Sequence, residues 1–363
     1  MNPLPSLETR LSPERFDTTA ILKQLAATHR RLGELKGIVS SIPNQSILIN
    51  TLSLQEAKDS SAVENIVTTH DELFRHAAFP EAAGNPAAKE VAHYREALWT
   101  GFVHVRDSGL LTNNHILDIQ AELEKNRAGF RRLPGTELRN EAGKTIYTPP
   151  SPEWIPKLMG ELERFINDES VFPADALVKM ALIHHQFEGI HPFYDGNGRC
   201  GRIINVLYLV KQGLLDIPVL YLSRYIVQNK ADYYRLLQAV RDADAWEDWV
   251  LYVLAAVEET ARGSIESIRA IGHLLLDVKH RIRAQYRFYS QDLINNLFGH
   301  PYTKIDFVMR DLGISRLTAT HYLNQLVEGG FLRKQKSGRS NYYVNWPLCR
   351  ILAGIGADTQ ELP

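Results

Sequence analysis

The sequence predicts a mainly α-helical protein, and three features of its 363 residues support this fold class. Apolar residues recur at helical spacing through most of the chain. Residues that favour helix starts and ends, such as Asn85 with Pro86 and Gly213, stand at the limits of these periodic segments. Only two stretches break the pattern, namely 137–150 and the region from about 289 onward.

The composition is that of an ordinary soluble globular protein. Hydrophobic residues make up 44% and charged residues 23%, and 41 basic against 42 acidic side chains leave a net charge of −1. This small net charge therefore gives no indication of a nucleic-acid or membrane partner. Two cysteines, Cys200 and Cys349, fit a reducing compartment. Because the start lacks a secretory pattern and the longest apolar run is Trp249–Val257, we expect a cytoplasmic protein without a membrane partner.

The predicted elements follow from the apolar spacing and from the residues that start or stop it. The first helix covers Asp17 to about Leu35. Later helices occupy 85–109, open at Ser151 and at Pro173, end at Gly213, and extend from Asp248 to about His280. The stretch 137–150 reads as a β-hairpin, with a turn at 140–143, a strand at Lys144–Thr148 and a stop at Pro149–Pro150.

The densest chemistry lies in the twelve residues HPFYDGNGRCGR, 191–202. The glycine-rich part 196–198 can direct backbone N–H groups into a hollow at the start of a helix, which favours phosphate. Arg199 and Arg202 project from one side of that helix and can hold a polyphosphate. Asp195 offers an oxygen ligand for Mg²⁺, and His191 can act as a general base for a hydroxyl.

This stretch resembles the signature of the Fic family, H-x-F-x-[DE]-G-N-G-R-x-x-R, at every fixed position. The resemblance implies a helical Fic fold and transfer of AMP from ATP to a hydroxyl of a target protein or of the chain itself. It makes His191 the base and Asp195 the Mg²⁺ ligand, with Arg199 and Arg202 reaching the β- and γ-phosphates. The remaining residues assigned to nucleotide binding are Gly196, Asn197, Gly198, Cys200 and Gly201.

Two further segments resemble other parts of the same family's site. The segment 223–237 resembles the part that closes over the nucleoside, where Asn229 is the main candidate; Tyr225, Tyr233 and Tyr234 are weaker ones. The hairpin 137–150 resembles the family's flap. An exposed strand there could hold an extended segment of the target protein by backbone hydrogen bonds.

Ser60 and Glu64 resemble the family's inhibitory motif, [ST]-x-x-x-E-[GN]. The resemblance implies an intramolecular inhibitory helix at 59–69, in which Glu64 forms a bidentate pair with Arg202 and occupies the cation needed by the γ-phosphate. Glu64 then also counts among the residues of the nucleotide site. A carboxylate in that position could also orient a water, so an enzyme that mainly removes AMP stays open.

A zinc site formed by His184, Glu188 and His191 is the competing interpretation of the histidines. The H-E-x-x-H arrangement is absent, and Gly189 is expected to end the helix before His191. We therefore expect His184 and His185 to pack inside the fold.

The C-terminal region has a different pattern from the rest of the chain. Short helices are predicted at 290–298, before Gly313 and after the capping residue Ser315, followed by two strands around a basic turn. This order resembles a winged helix-turn-helix domain. Nine basic against four acidic residues in 285–350 suit phosphate contact, and four of the basic residues lie on the wing: Arg333, Lys334, Lys336 and Arg339. DNA and protein are both open as partners of this domain.

These segments divide the chain into five parts. We expect an N-terminal helical segment at 1–50, a Fic domain at 51–245, connecting helices at 246–284, a winged-helix domain at 285–350 and a tail at 351–363. The main hypothesis is a protein adenylyltransferase that uses Mg²⁺ and ATP. The alternative from another class is a DNA-binding regulator that senses ATP. Members of the family often pair, so a homodimer is open as well.

Overall fold

The computed structural model describes residues 4–80, 85–139, 143–337 and 340–354. The predicted mainly α fold is confirmed. The N-terminal part contains α1 (Leu7–Arg10), a 3₁₀ turn (Pro13–Phe16), α2 (Thr19–Val39), α3 (Gln45–Val63) and α4 (His70–Ala78). Thr18 caps α2 by accepting a hydrogen bond from the Ile21 N–H. The helix predicted at Asp17 to Leu35 is therefore present and one turn longer at its C-terminal end.

The helices that position the candidate site come next. They are α5 (Pro86–Ser108), α6 (Asn113–Glu124), α7 (Ile155–Asn167), α8 (Ala176–Ile190) and α9 (Asn197–Lys211). Every residue of α8 from Leu177 to Ile190 is buried, so this helix forms the centre of the core. Helix α9 packs against both α8 and α5. The loop that carries the first part of the motif 191–202 thus lies between two helices fixed by the core.

A short hairpin and three helices follow around this centre. Strands β1 (Leu138–Arg139) and β2 (Thr145–Tyr147) pair antiparallel, as predicted, while turn residues 140–142 lie outside the described residues. Helices α10 (Leu222–Gln228) and α11 (Lys230–Ala243) lead into α12 (Trp246–Gln285). With 40 residues, α12 is about 60 Å long, and it packs along α2. The sequence left open whether this region forms one helix or two, and the structure has a single helix there.

The C-terminal region combines four helices with a small sheet. Its elements are α13 (Gln291–Gly299), β3 (Tyr302–Thr303), α14 (Ile305–Leu312), α15 (Arg316–Glu328), β4 (Arg333–Ser337), β5 (Ser340–Val344) and α16 (Trp346–Leu352). The antiparallel sheet has the order β3-β5-β4. The three predicted helices and the two strands are present, whereas β3 and α16 were not predicted. Arg339 and residues 355–363 lie outside the described residues, and the assignment to the winged-helix class remains a prediction.

The helix predicted at 59–69 is displaced in the structure. Helix α3 begins at Gln45 and ends at Val63, so the predicted boundary at residue 50 falls inside it and Glu64 is its C-cap. Asn65 adopts a left-handed conformation with φ 64°. The N–H groups of Asn65 and Ile66 donate to the carbonyls of Ala62 and Ser61, at 3.0 Å each. This hydrogen-bond pattern ends helices and requires a residue that tolerates positive φ, such as glycine or asparagine.

Two smaller differences concern α8. The helix starts after Asp175, whose side chain caps Leu177, and not at Pro173. It also continues through Gly189 to Ile190, so the turn out of the helix occurs at His191 itself. Among the described residues, no helix combines the length and the apolar character needed to cross a membrane.

Two glycines in helices provide a matched test of the packing. A Cβ on Gly101 in α5 would overlap the buried side chains of Leu207 and Ile119, whereas a Cβ on Gly33 in α2 would meet no atom within 4 Å. Gly101→Ala should therefore lower the free energy of unfolding by about 1–3 kcal/mol. Gly33→Ala should raise it by about 0.5–1 kcal/mol, because glycine disfavours helix. Urea denaturation of both variants measures the difference, and equal effects would contradict this packing.

Candidate active site

The loop between α8 and α9 holds its shape through one asparagine and two left-handed residues. His191 (φ 50°) and Gly196 (φ 78°) are both in the left-handed region. The Asn197 amide accepts from the Phe193 N–H at 2.8 Å and donates to the Phe193 carbonyl at 2.9 Å. Phe193 itself is fully buried, as predicted. The side chain of Asn197 is therefore used inside the loop, and only its N–H is available to a ligand at the start of α9.

His191 is held as a neutral base. Burial, together with the nearby charges of Arg131 and Arg241, lowers its pKa to about 4. Its Nδ1 is buried, which leaves Nε2 as the ring nitrogen that a proton from outside can reach, and a hydrogen bond with the backbone of Glu188 opposes part of the lowering of the pKa. At neutral pH the imidazole is uncharged and can accept a proton.

Arg131 fixes the backbone around His191. This arginine is 2% exposed and donates from Nε to the His191 carbonyl at 2.8 Å. Its Nη2 donates to the carbonyl of Pro150, at the end of the hairpin segment. The backbone N–H of Arg131 also donates to the Pro192 carbonyl at 2.8 Å. One buried guanidinium thus joins the loop between α8 and α9 to the base of the hairpin, a contact that the sequence did not predict.

The structure brings Ser60, Glu64 and Arg202 together. The guanidinium of Arg202 is 1% exposed and donates to Ser60 Oγ at 2.8 Å, to the Ser60 carbonyl at 2.9 Å and to Glu64 Oε1 at 2.8 Å. Burial opposes the charge on Arg202, but Glu64 beside it raises the pKa of Arg202 above its usual value. Burial would likewise raise the pKa of Glu64, yet Arg202 holds it below its usual value. The pair is therefore ionised at neutral pH.

The Glu64–Arg202 contact differs in geometry from the expected bidentate pair. Only Oε1 of Glu64 accepts from Arg202, while Nε and the second bond of Nη2 go to Ser60. The reason is that Glu64 follows the end of α3, whereas Ser60 lies inside the helix. Two of the three hydrogen bonds of the guanidinium therefore go to the hydroxyl and the carbonyl of Ser60, and Glu64 accepts the third.

Two glycines of α9 allow carboxylates to approach this helix. A Cβ on Gly198 would overlap Glu64 Oε1, and a Cβ on Gly201 would lie 2.9 Å from Glu188 Oε1. Burial raises the pKa of Glu188 to about 7, and its Oε1 has no hydrogen-bond partner among the described residues. Gly198 thus has a steric role, since any side chain there would displace Glu64.

Arg199 is paired with carboxylates that the sequence analysis did not predict. It is 5% exposed and donates to Glu124 Oε1 at 3.0 Å and to Glu90 Oε2 at 3.4 Å. Asp195 lies 3.9 Å from the same guanidinium, its side chain is 80% exposed, and its Oδ1 accepts from the Gly196 N–H at 2.7 Å. Both guanidiniums of the motif are therefore balanced by acidic groups in this structure.

The region predicted to close over the nucleoside contacts the end of α3. Asn229 lies between α10 and α11, and its amide donates to the Tyr225 carbonyl at 3.0 Å. The next residue, Lys230, donates to Asn65 Oδ1 at 2.8 Å. Tyr233 is buried and shares a 2.8 Å hydrogen bond with His184, whereas Tyr234 is 43% exposed. Of the three tyrosines, Tyr234 is thus an exposed candidate and Tyr233 belongs to the core.

The hairpin is connected to α8 and α11. Tyr147 of β2 donates to the Gly189 carbonyl at 2.8 Å, and the guanidinium of Arg241 lies 3.9 Å from the centre of its ring. Ile146 points away and is 41% exposed. The hairpin therefore has one face fixed beside the loop between α8 and α9 and one face open to solvent.

The remaining predicted site residues lie in the core. His184 and His185 are buried, and burial lowers the pKa of each to about 3. The Cys200 side chain is fully buried, so only its backbone can face a ligand. Among the described residues, no group of three or more His, Cys, Asp or Glu side chains is placed to hold a metal ion.

The low pKa of His191 can be measured directly. In NMR spectra of the histidine-labelled protein, the His191 resonance should titrate near pH 4 and stay unchanged from pH 8 to pH 6. His191→Gln identifies the resonance by removing it. A titration midpoint of His191 near pH 6.5 would contradict a buried position beside two guanidinium groups.

Three segments of the chain match known protein families. Residues 22–103 match the description "Fic/DOC family N-terminal", residues 110–209 match "Fic/DOC family", and residues 274–348 match "Protein adenylyltransferase SoFic-like, C-terminal domain". The first two matches together cover half of the chain. Protein adenylyltransferase fic-1 of Caenorhabditis briggsae is 28% identical over 168 residues, which is 44% of this chain and 31% of the relative. Protein adenylyltransferase Fic of Drosophila erecta is 29% identical over 126 residues, which is 35% of this chain and 24% of the relative.

The alignment thus spans less than a third of the length of these relatives. A crystal structure of a Fic family protein from Desulfovibrio desulfuricans has a TM-score of 0.58 at 22% identity, over 92% of this chain and 98% of the other. Fic-1 from Caenorhabditis elegans has a TM-score of 0.51 at 21% identity, over 67% of this chain and 72% of the other. At such identities these structures support the fold. The two matched Fic/DOC segments, which contain the complete motif at 191–202, show that the chain belongs to the Fic/DOC family.

Proposed function

We propose that this protein is an adenylyltransferase that transfers AMP from ATP to a hydroxyl group of a protein and that Glu64 inhibits this reaction. The observation that carries the proposal is the placement of a neutral His191, the first turn of α9 and the Glu64–Arg202 pair around one loop. The relatives named as protein adenylyltransferases support the reaction class.

ATP would bind with its phosphates at the start of α9. The first N–H groups of a helix have no partner inside the helix and favour an anion, as does the helix dipole. Arg199 and Arg202 stand one turn apart on that helix and can each hold a phosphate oxygen. Both must first give up acidic partners, namely Glu124 with Glu90 and Glu64.

In the reaction, the hydroxyl oxygen of the target attacks the α-phosphorus of ATP. Its proton passes to Nε2 of His191, the bond between the α-phosphorus and the bridging oxygen breaks, and pyrophosphate leaves. The low pKa of His191 keeps the ring unprotonated before the attack. Arg131 keeps the ring in place by holding the His191 carbonyl, and it does not take part in the proton transfer.

Asp195 fits a Mg²⁺ ion that arrives with the nucleotide. Its carboxylate is 80% exposed, and only one oxygen is engaged, by the Gly196 N–H. Mg²⁺ in phosphate sites is commonly held by one or two carboxylates together with phosphate oxygens and water. Bound there, the ion would supply positive charge next to the phosphates.

The target protein would dock beside the hairpin. Strand β2 (Thr145–Tyr147) pairs with β1 on one edge, and its other edge is where an extended segment can add backbone hydrogen bonds. A hydroxyl in that segment would then lie near the catalytic loop, because Arg131 joins the hairpin base to His191.

Replacing Glu64 and His191 tests both parts of the proposal. Glu64→Gly should raise transfer of AMP by about tenfold or more, because a buried ion pair no longer competes for Arg202. His191→Ala in that background should lower transfer by about 100-fold or more, as expected for a lost general base. Mass spectrometry of the protein and of lysate proteins after incubation with Mg²⁺ and ATP measures the added AMP.

Two exposed substitutions serve as controls. Glu14→Gly and His321→Ala change the same residue types on the surface and should leave transfer at the parent level. Equal rates of AMP transfer by the parent and by Glu64→Gly would contradict the role of Glu64 as the inhibitor. Undiminished transfer in the His191→Ala variant would remove His191 as the base. Loss of a previously added AMP in the parent would favour the reverse reaction.

DNA binding by the C-terminal region is a second candidate function, favoured by its exposed basic side chains. Arg333, Lys334 and Lys336 on β4 and Arg316 on α15 are exposed. If they contact phosphates, the affinity of the full chain for duplex DNA should fall steeply with salt. Lys334→Gln with Lys336→Gln should reduce the slope of log K against log salt by about two. Absence of binding at low salt, or an unchanged slope, would exclude this function.

A further inference from the structure

A cavity separate from the candidate active site lies between the N-terminal helices and the C-terminal region. Its volume is about 560 Å³, within the range of roughly 300–1,000 Å³ found for ligand sites. Ile49 and Leu54 of α3 form one wall, Arg95 and Trp99 of α5 a second, and Tyr302 with its neighbours from the C-terminal region a third. None of the residues around it belongs to the candidate active site.

Arg95 supplies a positive charge to the lining of this cavity. The guanidinium is half-buried, and burial lowers the pKa of Arg95. It forms no hydrogen bond or ion pair with the part of the chain that the structure describes. The two acidic residues of the lining, Glu96 and Glu122, are both bonded to Lys125, at 2.8 and 2.6 Å. The negative charge of Glu96 compensates the half-buried guanidinium only in part, since burial still lowers its pKa, so an anion that enters the cavity would gain a charge-assisted hydrogen bond to Arg95.

Aromatic side chains form the apolar part of the lining. Phe74 and Tyr302 lie with ring centres 5.5 Å apart, and Phe307 lies in the same lining. Trp99 on α5 is 45% exposed, which is unusual for a large aromatic side chain. Such a surface binds flat apolar groups well, since aromatic rings bury a large area and stack on one another.

We propose that this cavity binds a small organic anion that has a flat apolar body. Its carboxylate or phosphate pairs with Arg95, in the planar geometry that guanidinium groups favour. Its ring packs on the aromatic lining beside Trp99. The inference stands independently of AMP transfer, because none of its residues takes part in that reaction. A ligand in this position would contact α3, the helix that carries Ser60 and ends at Glu64.

Isothermal titration calorimetry of the full chain with 1-naphthoate tests the proposal. We expect one saturable site that ATP does not displace. The neutral isostere 1-naphthamide and the ring-free anion acetate should each bind at least about tenfold more weakly, because each lacks one of the two interactions.

Variants separate this cavity from general binding. Arg95→Gln should weaken 1-naphthoate by about tenfold or more. Arg106→Gln, on the same helix but exposed and paired with Asp107, should leave binding unchanged. Trp99→Ala, at an exposed position that folding should tolerate, should weaken it as well. Absence of saturable binding, equal affinity for the amide, or equal affinity of Arg95→Gln and the parent would each overturn the proposal. Such a result would leave the proposed AMP transfer unaffected.

Discussion

The buried guanidinium of Arg202 is the constraint on which the site depends. A cation that is 1% exposed must find acceptors within the protein, and the end of α3 supplies them through Ser60 and Glu64. The contact therefore fixes α3 against α9, and it also places a carboxylate where an anionic ligand would bind. The same three hydrogen bonds therefore hold the two helices together and carry the proposed inhibition by Glu64. Gly198 permits this contact, and Asn65 ends the helix so that Glu64 can reach it.

The charge of His191 is controlled in a different way from the charges of Arg199 and Arg202. Arg199 and Arg202 are balanced by carboxylates, whereas Arg131 bonds to backbone carbonyls and forms no ion pair within the described part of the chain. Burial and the positive charges of Arg131 and Arg241 disfavour a further positive charge on His191, which keeps the imidazole neutral. Arg131 thereby combines a positional and an electrostatic effect. The hairpin shares this support, because the same guanidinium bonds to Pro150.

The sequence predicted those parts of the molecule that depend on local spacing. The motif 191–202, the helix caps at Asn85 and Ser315 and the hairpin strands were all predicted from neighbouring residues. Contacts between distant segments were not predictable in the same way. Arg131 bonds to carbonyls, which every residue has, and Glu90 and Glu124 reach Arg199 from helices that only the fold brings together. The end of α3 was misplaced because the left-handed turn at Asn65 has no apolar periodicity to mark it.

The most direct measurement is a pair of crystal structures, of the parent and of Glu64→Gly, each with Mg²⁺ and ATP. If Glu64 excludes the nucleotide's terminal phosphate from Arg202, only the variant should have a γ-phosphate oxygen within hydrogen-bond distance of Arg202 and the α-phosphorus facing Nε2 of His191. An identical ATP position in both structures, or phosphates bound away from the start of α9, would contradict the account.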